Sequence, residues 1–273
     1  MVHVLNDQAN NSKRVGWVQS LSAGIDAYVA AQDFVKAEHI PLTNVKGQLS
    51  HVLGEFIALG MLYHAKRVEN FMRRKVEKKW ELEPVELCQK KTMVIVGFGD
   101  IGAACGRIVK AFGTKVIGVK KRPEVCTEEQ RKGCDELLGV DHLDSVIGDA
   151  DYVVGVLPKT KETMHFFDKD LFAKMKSSGV FMNIGRGPTV KESDLVDALK
   201  AKTIAGAVLD VYEVEPLSED SELWDLPNLL MTPHCADQDP EFMDRCLDVV
   251  SENLALFKEG KPLLNVCDKN LGY

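Results

Sequence analysis

The sequence predicts an α/β protein built on a parallel, doubly wound sheet. Three observations predict it. From Lys91 to Met231, short apolar runs alternate with segments whose apolar residues recur at helical spacing. Those runs, such as Met93-Val94-Ile95-Val96 and Tyr152-Val153-Val154-Gly155-Val156, are rich in β-branched residues, the pattern of strands covered on both faces. The first run feeds into Gly97-Phe98-Gly99-Asp100-Ile101-Gly102, after which Ile101, Ala104, Cys105, Ile108, Val109 and Phe112 follow at helical spacing.

Three glycines between a strand and a helix are the context of a dinucleotide-binding turn of the Rossmann type. Gly97 allows the sharp turn, Gly99 lets the backbone approach a pyrophosphate, and Gly102 lets helix and strand pack closely. Asp100 and Ile101 open the helix, whose N–H groups and positive dipole end face the phosphates.

Taken in order, residues 1–12 are polar and read as a frayed end. Val15 to Leu21 reads as a short strand, Ser22-Ala23-Gly24-Ile25-Asp26 as a loop entering a helical turn, and Ile40 to Asn44 as another short strand. One long helix is expected from about Ser50 to Lys79. Val52, Leu53, Phe56, Ile57, Leu59 and Leu62 give it a broad apolar face, and its basic later part reads as solvated. In the alternating region the expected elements are a strand at 91–96, a helix at 101–112, a strand at 115–120 and a charged helix around 124–138. A strand at 151–157, a short helix at 170–175, a strand at 180–184, a helix at 192–200 and strands at 204–211 and 229–231 complete it. An amphipathic helix from about Pro240 to Lys258 closes the chain.

At 273 residues the chain holds one large or two smaller domains. A net charge of −7 argues against non-specific binding to nucleic acid or an anionic membrane, and no run approaches the length of a membrane span. Met1 to Asp7 lacks the basic and apolar regions of a secretory signal, and Asn270-Leu271-Gly272-Tyr273 is neither a peroxisomal nor an ER address. The seven cysteines form no Cys-x-x-Cys pair and are odd in number, so reduced thiols in the cytoplasm are expected and no metal site. The triplet Asn10-Asn11-Ser12 then reads as a chance match to a glycosylation acceptor.

The second strand of the alternating region ends at Val119-Lys120-Lys121-Arg122. An NAD-binding unit places Asp or Glu about 20 residues past the glycines to hold the ribose 2′-OH. Here Lys120, Lys121 and Arg122 stand in that place. They favour a 2′-phosphate and cannot accept a hydrogen bond from a hydroxyl, so NADP is expected in preference to NAD; a solvated basic turn is the plainer alternative.

Three later stretches fall at or just beyond strand ends, where ligands bind in an open parallel sheet. In Asn183-Ile184-Gly185-Arg186-Gly187, Arg186 lies between glycines and can clamp a carboxylate with two parallel bonds. Leu209-Asp210-Val211-Tyr212-Glu213-Val214-Glu215-Pro216 delivers several carboxylates after a buried strand. In Met231-Thr232-Pro233-His234-Cys235, His234 is fixed by a Thr-Pro lead-in, whereas His3, His39, His51, His64, His142 and His165 read as structural. An imidazole needs a carboxylate to stay protonated near neutral pH, and Glu215 can pair with His234. Together Arg186, Glu215 and His234 offer a carboxylate clamp, a pKa tuner and a proton donor.

At these residues the sequence resembles the D-isomer-specific 2-hydroxyacid dehydrogenases, and its Lys120-Lys121-Arg122 run looks like that of their NADPH-dependent glyoxylate and hydroxypyruvate reductases. The resemblance covers the chain from about Trp17 to the final helix. It rests on the glycine turn, Leu157-Pro158-x-Thr160-x-x-Thr163, the Arg186 and Glu215 stretches, and Thr232-Pro233-His234. It implies that Arg186, Glu215 and His234 are catalytic. It further implies that Leu157, Pro158, Thr163, Ile184, Gly185 and Asp210 line the cofactor, and that Ser22, Ala23, Gly24 and Arg186 meet the carboxylate of a small 2-oxo acid. A homodimer is implied as well, with helix 50–79 as the candidate contact. Against the family pattern the chain is expected to lack most of a flavodoxin-like substrate lobe. Residues 1–86 would be its remnant plus the linking helix, 87–236 the NAD(P)-binding domain, and 237–273 a helix returning to the lobe. A non-catalytic NAD(P)-binding sensor or interaction module is the alternative reading.

Overall fold

A computed structural model describes residues 15–273. The polar end expected at 1–12, His3 and the Asn10-Asn11-Ser12 triplet lie outside the described residues. In chain order the elements are β1 (Val18–Gln19), α1 (Asp26–Val29), α2 (Gln32–Lys36), β2 (Leu42–Thr43), α3 (Ser50–Ala65), α4 (Val68–Glu77), β3 (Thr92–Val96), α5 (Asp100–Lys110) and β4 (Lys115–Lys120). Then come α6 (Glu128–Arg131), β5 (Glu136–Gly139), β6 (Tyr152–Gly155), α7 (Lys169–Lys174), β7 (Val180–Asn183), α8 (Glu192–Lys200), β8 (Gly206–Leu209), β9 (Leu229–Met231) and α9 (Phe242–Lys258). They form two compact units. Among the described residues, one is 15–49, Pro158–Lys161 and Gln238–Tyr273; the other is Ser50–Leu157 and Glu162–Asp237.

In the smaller unit β1 and β2 pair in parallel. Ile25, Phe34, Ile40 and Leu42 form its buried core. The Lys269 ammonium donates to the carbonyls of Phe34, Ala37 and Ile40 at 3.0, 2.6 and 3.0 Å, satisfying backbone acceptors around the end of α2. Fully buried Asn253 ties α9 into this unit. It donates to Gln19 Oε1 at 2.9 Å and accepts the Leu264 N–H at 2.7 Å.

The larger unit is built on a seven-stranded sheet in the order β5-β4-β3-β6-β7-β8-β9, with every pair parallel. Each residue from Met93 to Ile95 and from Val153 to Val154 is completely buried, as the apolar runs require. Strand order reverses between β3 and β6, and that switch point is where such sheets open a ligand crevice. Helix α3 packs on α5 closely enough that a Cβ on Gly54 would lie 2.6 Å from Ile108 Cδ1.

Two expected elements are corrected. The long helix 50–79 is two helices, α3 and α4, broken at Arg67, which takes the left-handed φ of 54°. The break has a tertiary cause. Lys66 Nζ donates to Glu86 O at 2.6 Å and Arg67 pairs with Glu86 at 3.4 Å, so the returning chain holds the corner where α3 loses its apolar face. The charged helix expected around 124–138 is only α6, followed by the strand β5 paired with β4. Thr127 and Gln130 form a capping box that starts α6. Just past its end Gly133 crosses α5 so tightly that its Cβ would lie 2.3 Å from Ala103 O.

Candidate active site

The glycine turn follows β3. Gly97 has φ +100°, and a Cβ there would sit 2.4 Å from Val156 O, just past the end of β6. Gly102 would place a Cβ 2.7 Å from Gly97 O, so helix and turn touch backbone to backbone. At Gly99 nothing lies within 4 Å of the missing Cβ. The turn is therefore closed on its protein side and open where a ligand's phosphates would approach. No side chain caps the start of α5, which leaves its first N–H groups to an anion. Asp100 accepts a hydrogen bond from the Ser50 hydroxyl. These features fit a dinucleotide on the observation of the open Gly99 face alone.

β4 ends at half-buried Lys120, and exposed Lys121 and Arg122 follow it. Lys121 pairs with Glu162 at 3.5 Å, both largely exposed. Phe98 lies fully buried beneath the turn because Gly118 leaves its place empty; a Cβ on Gly118 would meet the ring at 2.5 Å.

Arg186 follows β7 between two glycines that have no room for a side chain. A Cβ on Gly185 would lie 2.7 Å from both N and O of Leu157, and one on Gly187 only 1.6 Å from Tyr212 O. Thr189 Oγ1 donates to Arg186 O at 2.6 Å, and Asn183 Oδ1 accepts the Gly185 N–H at 3.1 Å. The Arg186 backbone is thus pinned and its half-buried guanidinium donates to Gly185 O at 2.8 Å.

His234 and Glu215 meet as the sequence expects. His234 Nδ1 donates to Glu215 Oε2 at 2.7 Å, and Glu215 Oε1 accepts the Tyr212 N–H at 2.9 Å. With Nδ1 engaged, Nε2 is the nitrogen left to exchange a proton. His234 takes φ 51°, a left-handed conformation costly for a non-glycine residue, so the surroundings must hold it. Asp210 does so. Its buried Oδ1 accepts from Thr232 Oγ1 at 2.6 Å, Cys235 N–H at 2.9 Å and Ala236 N–H at 3.1 Å, while its carbonyl accepts the His234 N–H at 2.8 Å.

Arg186, Asp210, Glu215 and His234 therefore follow β7, β8 and β9 at one edge of the sheet whose β3 end carries the glycine turn. Leu157 and Ile184 are held beside them, and Thr163 precedes His165 on the loop leaving β6. Pro158 is grouped with the smaller unit. Ser22, Ala23 and Gly24 also belong to that unit, where Ser20 Oγ accepts the Ser22 N–H at 3.1 Å and Asn44 Nδ2 donates to Ala23 O at 2.7 Å.

Two residues escaped the sequence reading. Buried Tyr212 donates its hydroxyl to Thr232 O at 2.8 Å and so spans the ends of β8 and β9; burial, helped by the Asp210 charge, pushes its phenol up. His165, set aside as structural, pairs with Glu213 at 2.6 Å. Both effects come from contacts remote in sequence. Among the described residues no cluster could hold a metal ion, and no helix is long and apolar enough to cross a membrane.

The fold and its turn define a dinucleotide-binding α/β domain. A family model described as "D-isomer specific 2-hydroxyacid dehydrogenase, NAD binding domain" matches residues 58–236. A glyoxylate reductase of Korarchaeum cryptofilum is 33% identical over 81% of this chain and 67% of its own length. A hydroxypyruvate reductase of Blautia hydrogenotrophica is 32% identical over 86% of this chain and 73% of its own. An NADPH-dependent glyoxylate/hydroxypyruvate reductase of Sinorhizobium meliloti, solved with NADP and sulfate, superposes with a TM-score of 0.87 at 30% identity, covering 98% of this chain and 83% of that one. The chain belongs to the D-isomer-specific 2-hydroxyacid dehydrogenase family and is an NAD(P)-dependent oxidoreductase.

Asp210→Ala removes an acceptor from three donors. Each donor left unpaired away from water costs about 1–3 kcal/mol. Urea unfolding is expected to show a loss of at least that size for the variant.

Proposed function

We propose that the chain reduces a small 2-oxo acid, of the glyoxylate or hydroxypyruvate class, to the corresponding 2-hydroxy acid, with NADPH preferred to NADH. The observation that carries this reading is the His234–Glu215 pair at 2.7 Å, at the same sheet edge as Arg186 and the glycine turn. Gly97, Gly99, Asp100, Ile101 and Gly102 would hold the pyrophosphate, Lys120, Lys121 and Arg122 the 2′-phosphate, and Leu157, Pro158, Thr163, Ile184, Gly185 and Asp210 the nicotinamide half. When bound, the cofactor supplies hydride to the carbonyl carbon. Arg186 holds the carboxylate and polarises the carbonyl. His234, fixed by Glu215 through Nδ1, gives its Nε2 proton to the carbonyl oxygen; in the oxidative direction it takes that proton back.

The cation run supports the NADPH preference because Lys120, Lys121 and Arg122 occupy the end of β4 where an NAD-binding unit carries Asp or Glu. We further read the chain as a cytoplasmic homodimer. Support comes from the end of α4 and the segment after it, where Val76, Trp80, Leu82 and Leu87 are 82%, 97%, 94% and 70% exposed. The segment is not loose. Arg74 pairs with Glu83 at 3.0 Å, and Asn70 donates to the same carboxylate at 2.9 Å. A braced apolar arm of this size suits burial by a second copy.

His234→Ala is expected to lower kcat by about 10²–10⁴-fold, with NADPH binding unchanged by fluorescence titration. NADPH oxidation with glyoxylate, hydroxypyruvate and pyruvate tests the reading itself, and NADPH binding without turnover on any of them would favour the non-catalytic module. Arg122→Ala or Lys120→Asp should weaken NADPH by about 1.5–3 kcal/mol per lost charged bond, Arg122→Ala leaving NADH unaffected and Lys120→Asp strengthening it. Trp80→Ser with Leu82→Ser is expected to move the mass in light scattering from dimer to monomer.

A further inference from the structure

We propose that His165 is a positioning residue for the reaction: through Glu213 it holds the Tyr212–Glu215 turn and thereby sets the Glu215 grip on His234. The proposal rests on the reductase reading given above. His165 lies on the loop that leaves β6 and takes φ 52°. Its Nε2 donates to Glu213 Oε1 at 2.6 Å, and its backbone N–H donates to Pro188 O at 3.0 Å. One residue therefore touches both the loop that carries Arg186 and the turn that carries Glu215.

Glu213 is a node. Its Oε2 accepts the Glu192 N–H at 3.2 Å, and Glu192 Oε2 accepts the Glu213 N–H at 3.2 Å in return. Two carboxylates are thus brought together at the start of α8. Burial, with the Glu213 charge adding to it, pushes the Glu192 carboxyl up, and the His165 ring N–H supplies the node with a side-chain donor from the loop that leaves β6. Residues 212–215 are then fixed at three points. The Tyr212 carbonyl fills the space left by Gly187, Glu213 is held by His165 and Glu192, and Glu215 holds His234. Without His165 the middle point slackens while the ends remain.

The exposure of the pair separates this role from simple stabilisation. The side chains of His165 and Glu213 are 40% and 31% exposed, and a pair so open to water adds little to stability. Small displacements of a group that orients a proton donor, by contrast, cost rate steeply.

A double-mutant cycle in kcat tests the proposal, using His165→Ala, Glu215→Gln and the pair of changes together. His165→Ala is expected to lower kcat about tenfold, with NADPH affinity unchanged and Tm nearly so. In the Glu215→Gln background the same change should cost less than about twofold, because the group it acts through is already gone. His165→Gln, which restores a neutral donor at the same reach, should recover part of the loss. An equal loss in both backgrounds, or none in the wild type, overturns the proposal. If His165→Ala does not fold, Glu213→Gln enters the same cycle and is judged by the same outcomes. Absence of wild-type turnover overturns the reductase reading and this proposal with it. Wild-type turnover with an additive cycle overturns this proposal alone.

Discussion

Three crossings of backbone over backbone hold the carboxyl-terminal edge of the large sheet together, and each needs a residue without a side chain. Gly97 lies against the carbonyl of Val156, Gly185 against Leu157, and Gly187 against the carbonyl of Tyr212. Contacts of this kind join neighbouring strand ends directly, with no flexible side chain between them. The glycine turn, Arg186 and the 212–215 turn are consequently fixed relative to one another by main-chain packing. Chemistry that depends on fractions of an ångström gains from such a frame.

Upon this frame sits a polar layer with a simple logic. One buried carboxylate, Asp210, gathers the donors of the loop that carries His234 and holds that residue in a left-handed conformation. A second, Glu215, reaches back to the Tyr212 N–H while it grips the imidazole. A third, Glu213, joins the 212–215 turn to α8 and to the loop leaving β6. Three acidic residues within six positions of the chain thus take three different tasks, set by which donors surround each.

Much of this was legible in the sequence, because it was written in local patterns. The strand at 229–231 and the helix at 192–200 carry their periods within a few residues, and both have the expected bounds. The glycine turn was legible for the same reason, and so was the meeting of His234 with Glu215, each at the end of a recognisable strand. What stayed hidden was decided by contacts far along the chain. Nothing between Lys66 and Arg67 breaks a helix by itself; the returning Glu86 does. The strand β5 is short, charged and only half-buried, so it lacks the apolar run that marks its neighbours. His165 could not be told from any surface histidine until the fold set Glu213 opposite its ring.

Phe98 and Gly118 occupy a single volume between the turn and β4, with no slack left for either. Their mutational fates are joined: bulk at 118 is tolerable only if the aromatic ring at 98 shrinks, and that would undermine the phosphate cradle from below. Redesign of coenzyme choice at residues 120–122 works two positions along the same strand. Its freedom therefore stops at Val119, and libraries that spread inward to Gly118 will trade specificity for loss of the turn itself.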